Sequence, residues 1–191
     1  MNDKGIWNLE EATEHHINSE VLAEWLVANL DPKILVNDFG CGLGFYSHRL
    51  SQAGFNVHAY EGTPGIEEIS VYKPIHSIDL SVPTQVDKGQ VICFEVGEHI
   101  PLEYENIVLD NICNNSNGKV ILSWALPYQG GLGHVNLHTN QWVIEQMWWR
   151  NFELDWEASN ALRALDYKEC VWFNQEIFAF NLRILPAPEI I

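Results

Sequence analysis

The sequence predicts a single α/β domain built on a doubly wound, mainly parallel sheet, and three observations carry that expectation. Short, nearly continuous apolar runs of β-branched type alternate with amphipathic segments along the chain. A glycine-rich stretch falls between the first such run and the amphipathic segment after it, where an open parallel sheet places its ligand crevice. The length of 191 residues suits one core of ordinary size and not two.

Each element follows from local pattern. Residues 19–30 carry Val21, Leu22, Trp25, Leu26 and Leu30 at helical spacing, with Ser19 as cap and Asp31-Pro32 as stop. Residues 33–38 (KILVND) read as a first strand buried on both faces, and residues 45–53 as the crossover helix. A second strand at 56–60, a short helix at 65–70 and a third strand at 75–78 follow. The fourth strand is expected at 90–94 (QVICF), a helix at 103–112 and the fifth strand at 120–124 (VILSW). After a Gly-containing loop come a helix at 141–150, a strand at 152–156 and a helix at 159–165. An alternating aromatic stretch at 176–182 closes the pattern.

Composition narrows the function. Hydrophobic residues make up 47% and charged residues 19%, which suits a packed globular core rather than a disordered or coiled-coil chain. Ten Lys+Arg against 26 Asp+Glu give a net charge of -16, a field that repels phosphate backbones and anionic membranes. Nucleic acid and membrane are therefore not expected as partners. Cys41, Cys93, Cys113 and Cys170 form no CxxC pair and read as buried free thiols of a reducing compartment. The N-terminus lacks the basic and apolar regions of a secretion signal, so a cytoplasmic location is expected.

The segment DFGCGLG, residues 38–44, lies between the first strand and the first crossover helix. Gly40, Gly42 and Gly44 let the backbone turn sharply beside a bound ligand. Glu61 ends the second strand, about 20 residues on, where a carboxylate can accept both hydroxyls of a ribose. Asp79 ends the third, in a position suited to an adenine amino group. The pattern has an acid at its head and is not the GxGxxG of a dinucleotide site.

On these residues the chain resembles the class I S-adenosylmethionine-dependent methyltransferases over nearly its whole length. The resemblance implies a Rossmann-like, seven-stranded sheet with helices on both faces and an antiparallel last strand. It also implies that Asp38 supports the methionine end of the cofactor, Glu61 the ribose and Asp79 the adenine, with Glu95 joining the cofactor-binding set. A sulfonium and an ammonium without phosphate suit an acidic pocket.

A second constellation follows the fourth strand. In Glu95-Val96-Gly97-Glu98-His99, a helical turn would put Glu95, Glu98 and His99 on one face. The loop after the fifth strand carries GGLGHVN, residues 130–136, and opens onto the same edge, so His134 is expected to reach the carboxylates. Such a set can hold magnesium, manganese or a transition metal. The ExxEH…H pattern also resembles metal-dependent O-methyltransferases that act on the terminal ribose of small RNAs, and an ExxEH segment similar to this one occurs in those of ubiquinone biosynthesis. That resemblance implies Glu95, Glu98, His99 and His134 as ligands, whereas the shorter His99–His134 spacing and the lack of a basic region argue against an RNA acceptor. In the other reading of these residues, the glutamate caps a turn and His99 or His134 acts as catalytic base. Asn136 and His138 are substitutes for His134.

The expected activity is O-methylation of a small molecule or sugar hydroxyl, with a chelated vicinal diol as the metal-assisted form. The other functional classes are a non-catalytic cofactor-binding partner subunit and an oxidoreductase using a nicotinamide dinucleotide. Specificity is assigned to residues 1–30, as lid and helix, and to a substrate loop at 125–140 in which Tyr128 and Gln129 are candidate contacts. His15 and His16 read as solvated residues or as part of the lid, and Trp142, Trp148 and Trp149 as packing residues.

Overall fold

The computed structural model describes residues 1–184. Seven strands, β1 (Val36–Phe39), β2 (Val57–Glu61), β3 (Ile75–Ser77), β4 (Gly89–Cys93), β5 (Ser116–Ser123), β6 (Phe152–Leu154) and β7 (Ile177–Leu182), form one sheet. Their order is β3-β2-β1-β4-β5-β7-β6. The first five run parallel, β7 pairs antiparallel with β5, and β6 pairs antiparallel with β7. Strand order reverses between β1 and β4, so the crevice of this sheet lies at their carboxyl ends.

Every residue of β1 and of β4 is buried, as continuous apolar strands require. Alternation along the strands then divides the core in two. On one face, Val36, Ile92, Ile121 and Ala179 pack beneath α2 (Glu20–Asn29), α3 (Phe45–Gln52), α6 (Trp156–Arg163) and α7 (Phe173–Glu176) through Leu22, Leu26, Leu50, Leu162 and Phe173. On the other, Phe39, Val91, Val120, Leu122, Phe178 and Phe180 meet α4 (Glu105–Asn114) and α5 (Asn140–Trp149) through Val108, Leu109, Ile112, Val143 and Met147.

Several boundaries differ from the sequence pattern for local reasons. Residues 31–34 form a turn, closed by Ile34 N–H donating to the Asp31 carbonyl, and β1 starts only at Val36. The expected helix at 65–70 is a single 3-10 turn, Ile66–Glu68. Asp155 caps α6 by accepting from the Ala158 N–H, so the helix starts at Trp156 and stops β6 at Leu154. An unexpected helix, α1 (Leu9–His15), is nucleated by a capping box in which Asn8 and Glu11 each accept the other's backbone N–H. Ser19 caps α2 as expected, accepting from the Leu22 N–H. Trp148 and Trp149 are exposed instead of packed. All four cysteines are buried free thiols. Among the described residues no helix is long and apolar enough to cross a membrane.

Candidate active site

A cavity of about 310 Å³ opens at the carboxyl ends of β1, β2 and β4. Asp38, Gly40, Gly42, Glu61, Asp79 and Glu95 line it, as do His99 and His134. Gly44 does not; it takes φ 80° as the residue before α3, where a Cβ would meet Ser70 Oγ and Tyr72, so its part is to start the helix. Gly42 is held at φ 56°, and its N–H donates to Glu61 Oε2 at 2.9 Å. A Cβ there would stand 2.7 Å from the His16 imidazole.

The acids of this half are already satisfied by the chain's own donors. Glu61 Oε1 accepts from the N–H groups of Gly62 and Thr63 and from the Thr63 hydroxyl, at 2.8 to 3.0 Å. Asp79 accepts from Lys4 Nζ at 2.7 Å and from the Ser81 N–H and hydroxyl. Burial pushes Asp79 upward, but the Lys4 ammonium and Ser81 outweigh it and hold the carboxyl below its ordinary range. Asp38, buried on β1, accepts from Ser47 Oγ at 2.7 Å, and burial pushes it up to about 7.

A strap from the N-terminus roofs the cavity. Lys4, Gly5, Ile6 and Trp7 line it together with His15 and His16. Gly5 packs so closely on the His99 carbonyl that a Cβ would collide with it. Trp7 stacks on His16, with centroids 5.3 Å apart, and stands edge-on to His99 at 5.0 Å. His16 is thus a wall of the site and not a solvated residue. Lys4 and Trp7 were not singled out by sequence, although the Asn8…Glu11 capping pair marks a helix start that leaves the preceding residues free to cross the crevice.

At the other end the helical turn expected for 95–99 is absent. Glu95 takes a left-handed φ of 53°, and a 3-10 turn, Gly97–His99, follows. Ligand atoms of Glu98, His99 and His134 lie within 4.8 Å of one another. Glu95 is not in that group; its Oε1 accepts from Ser123 Oγ at 2.7 Å, a direction set by the left-handed backbone. His138 turns away, bonding Glu105 at 2.8 Å and stacking on Trp142, while Asn136 is buried with its side-chain amide unpartnered.

Both carboxyl oxygens of Glu98 are buried without a hydrogen bond, and so is His99 Nδ1. Burial pushes Glu98 up to about 8 and Glu95 well above the carboxylate range, with the neighbouring Glu98 adding to the latter. Burial, helped by His134, takes His99 down to about 4, and burial lowers His134 as well, so both rings are neutral lone-pair donors at neutral pH. Glu176, fully buried where α7 meets β7, is a further carboxyl raised there; burial and Glu95 push it up to about 9. No sequence signal marks Glu176, because its place depends on β7 inserting between β5 and β6. Buried carboxyl groups without a cation must hold a proton or receive a positive charge.

No family model matches the chain. A curated relative, the magnesium-protoporphyrin O-methyltransferase of Synechocystis sp. (strain ATCC 27184 / PCC 6803 / Kazusa), is 28% identical over 122 residues, covering 58% of this chain and 53% of that protein. The chain thus spans about half the length of that relative. A crystal structure of magnesium protoporphyrin IX methyltransferase from Synechocystis PCC 6803 with bound S-adenosylhomocysteine superimposes with a TM-score of 0.61 at 22% identity, covering 85% of this chain and 80% of that one. A TehB-like S-adenosylmethionine-dependent methyltransferase from Corynebacterium glutamicum gives a TM-score of 0.65 at 18% identity over 92% and 93% of the two chains. The fold is that of the Rossmann-like methyltransferases.

Proposed function

We propose that the chain is an S-adenosylmethionine-dependent methyltransferase acting on a hydroxyl of a small acceptor. The observation that carries this reading is the convergence of Asp38, Gly42, Glu61 and Asp79 on one cavity that also holds His99 and His134. Bound there, the cofactor supplies an electrophilic methyl group on a sulfonium. In this reading Glu61 and Asp79 accept from its ribose and adenine, and the acidic lining suits its positive charges.

An acceptor hydroxyl must lose its proton on transfer. His99, held at about 4, is a weak base, which favours its use as a metal ligand. Glu98, His99 and His134 fit a divalent cation such as magnesium or manganese: three converging donors, two of them with buried, unpartnered atoms. A cation there would supply acidity to the acceptor hydroxyl and could chelate a vicinal diol. In its absence His134 is the better proton acceptor of the two. Lys4, the one Lys or Arg lining the cavity among the described residues, is tied to Asp79, so no cationic side chain there is free to pair with an anionic acceptor. A neutral sugar- or catechol-like diol is the expected class.

The test is calorimetric and then enzymatic. S-adenosylhomocysteine is expected to bind and stabilise the protein whereas NAD does not, and release of S-adenosylhomocysteine is expected with neutral diols. Failure to bind the nucleoside would overturn the reading; binding without turnover on any acceptor would favour a non-catalytic partner subunit.

A further inference from the structure

The acceptor loop, residues 125–140, is clasped by two successive residues at the end of α7. Gln175 faces outward: its Oε1 accepts from the Tyr128 hydroxyl at 2.8 Å, and its carbonyl accepts from Asn140 Nδ2 at 2.8 Å. Glu176 faces inward, and its Oε1 accepts from Gln129 Nε2 at 3.0 Å. The Gln129 backbone carbonyl, held in place as its side chain is anchored, in turn faces His134 Nδ1 at 3.4 Å. The loop beyond is anchored on the other side, where the Val135 and Asn136 N–H groups both donate to the Glu98 carbonyl at 2.9 and 3.0 Å. His134 is therefore suspended between Glu98 and Glu176. On the Glu176 side Gln129 reaches its ring, and on the other the His99 ring stands edge-on to it with centroids 5.0 Å apart.

A neutral imidazole carries one N–H, and the partner of that N–H decides which nitrogen keeps its lone pair. With Nδ1–H donated to the Gln129 backbone carbonyl, Nε2 is the nitrogen that keeps its lone pair. We propose that Glu176 is a positioning residue of the acceptor end, fixing the orientation and tautomer of His134 through Gln129. It touches neither cofactor nor acceptor. Its contribution rests on the methyltransferase reading only for the reaction served, since the link itself is a feature of this chain's hydrogen bonds. Outer partners that orient a ligating histidine are worth about 10–100-fold in metal affinity.

The experiment compares E176L, E176Q and Q129L with the unaltered protein. Glutamine keeps an acceptor oxygen for Gln129 at nearly unchanged size, whereas leucine removes it. Long-range ¹⁵N–¹H spectra of the histidine rings report the His134 tautomer, and calorimetry with Mn²⁺ and with S-adenosylhomocysteine reports the two ends of the cavity separately. The unaltered protein and E176Q are expected to show the Nδ1–H tautomer. E176L and Q129L are expected to lose it and to bind Mn²⁺ about tenfold or more weakly, with nucleoside affinity unchanged. Retention of the tautomer in a nucleoside-binding E176L, or equal loss in E176Q and E176L, would overturn the proposal. Should E176L fail to fold, Q129L carries the same test from the partly exposed loop. If the unaltered protein binds no Mn²⁺ and the tautomer still responds, the positioning link stands and the metal reading falls.

Discussion

The two ends of the cavity are built from the same kinds of side chain and treat them in opposite ways. At the cofactor end, Asp38, Glu61 and Asp79 receive hydrogen bonds from Ser47, from the Gly42, Gly62 and Thr63 amides, and from Lys4 and Ser81. At the acceptor end, Glu98 has no donor for either oxygen, Glu176 has none for Oε2, and His99 Nδ1 is bare. The difference separates a surface organised in advance from one that is incomplete by charge. The first meets a ligand with its acids already oriented by the chain's own donors. The second needs protons or a cation before the same acids are tolerable in so buried a place.

The largest effect is expected from breaking the organised end. Gly42→Val forces a β-branched residue to a positive φ and drives its side chain at the His16 ring, while disturbing the amide that holds Glu61. S-adenosylhomocysteine affinity by calorimetry should fall roughly a hundredfold, near 2.8 kcal/mol at about 1.4 kcal/mol per decade. An unchanged affinity would remove this loop from the binding site.

Glu98→Ala should break the other end alone. Methyl transfer to a diol should drop about 10–100-fold, chelator should do the same to the unaltered protein, and Mn²⁺ should restore only the latter. Nucleoside binding should survive throughout. A protein shown metal-free by elemental analysis that works at full rate would leave His134 as the base and dispense with chelation.

The same division governs what the sequence made legible. The cofactor end is a matter of strand ends and one turn, and both are local: apolar runs give β1 to β3, and DFGCGLG gives the loop. Its missing piece, the Lys4–Trp7 strap, is non-local in its docking, although the Asn8…Glu11 capping pair was readable. The acceptor end depends on backbone detail and long-range insertion. The spacing of Glu95, Glu98 and His99 suggested a helical face, but Glu95 is left-handed and turns to Ser123. Glu176 enters through the antiparallel β7, and residues as far apart as Gln129 and Glu176, 47 positions, have no pattern to announce their meeting, a limit set by tertiary context rather than by local propensity.

The buried acids of both ends also give the molecule a pH signature. Asp38, Glu98 and Glu176 sit at about 7, 8 and 9 when folded, above their ordinary values near 4, so the folded chain keeps protons that the unfolded chain has released. Their contribution to stability is full in acid and is lost as pH rises through the folded values. His99, held at about 4 against an ordinary 6.5, works in the opposite sense, and its contribution is lost as pH falls below 6.5. Above that value the acids act, joined toward pH 9 by the cysteine thiols, which burial also raises. Metal-free protein should therefore melt at progressively lower temperature from about pH 6.5 to about pH 9, and Glu98→Gln should flatten the slope. A melting temperature that rises over this interval would contradict the protonated state assigned to the acceptor end.

The smallest effect, and the one that sharpens the comparison most, concerns Lys4. Its ammonium pairs with Asp79 at 2.7 Å, but the two side chains are 38% and 27% exposed, and ion pairs so open to water contribute about 0.2–1 kcal/mol. The pair still pins the strap at the point where the adenine is expected, and Ile6 and Trp7 follow directly in the roof. Asp79 Oδ2 takes one donor from Lys4 and has a further lone pair for an adenine amino group, so the two need not exclude each other. Lys4→Met should then loosen the roof without removing a nucleoside contact. Affinity for S-adenosylhomocysteine should weaken no more than about fivefold, with the change in the dissociation rate measured by stopped flow. Tighter binding instead would make Lys4 a competitor that the adenine must displace, and the cofactor end would then have to rearrange on binding as the acceptor end does.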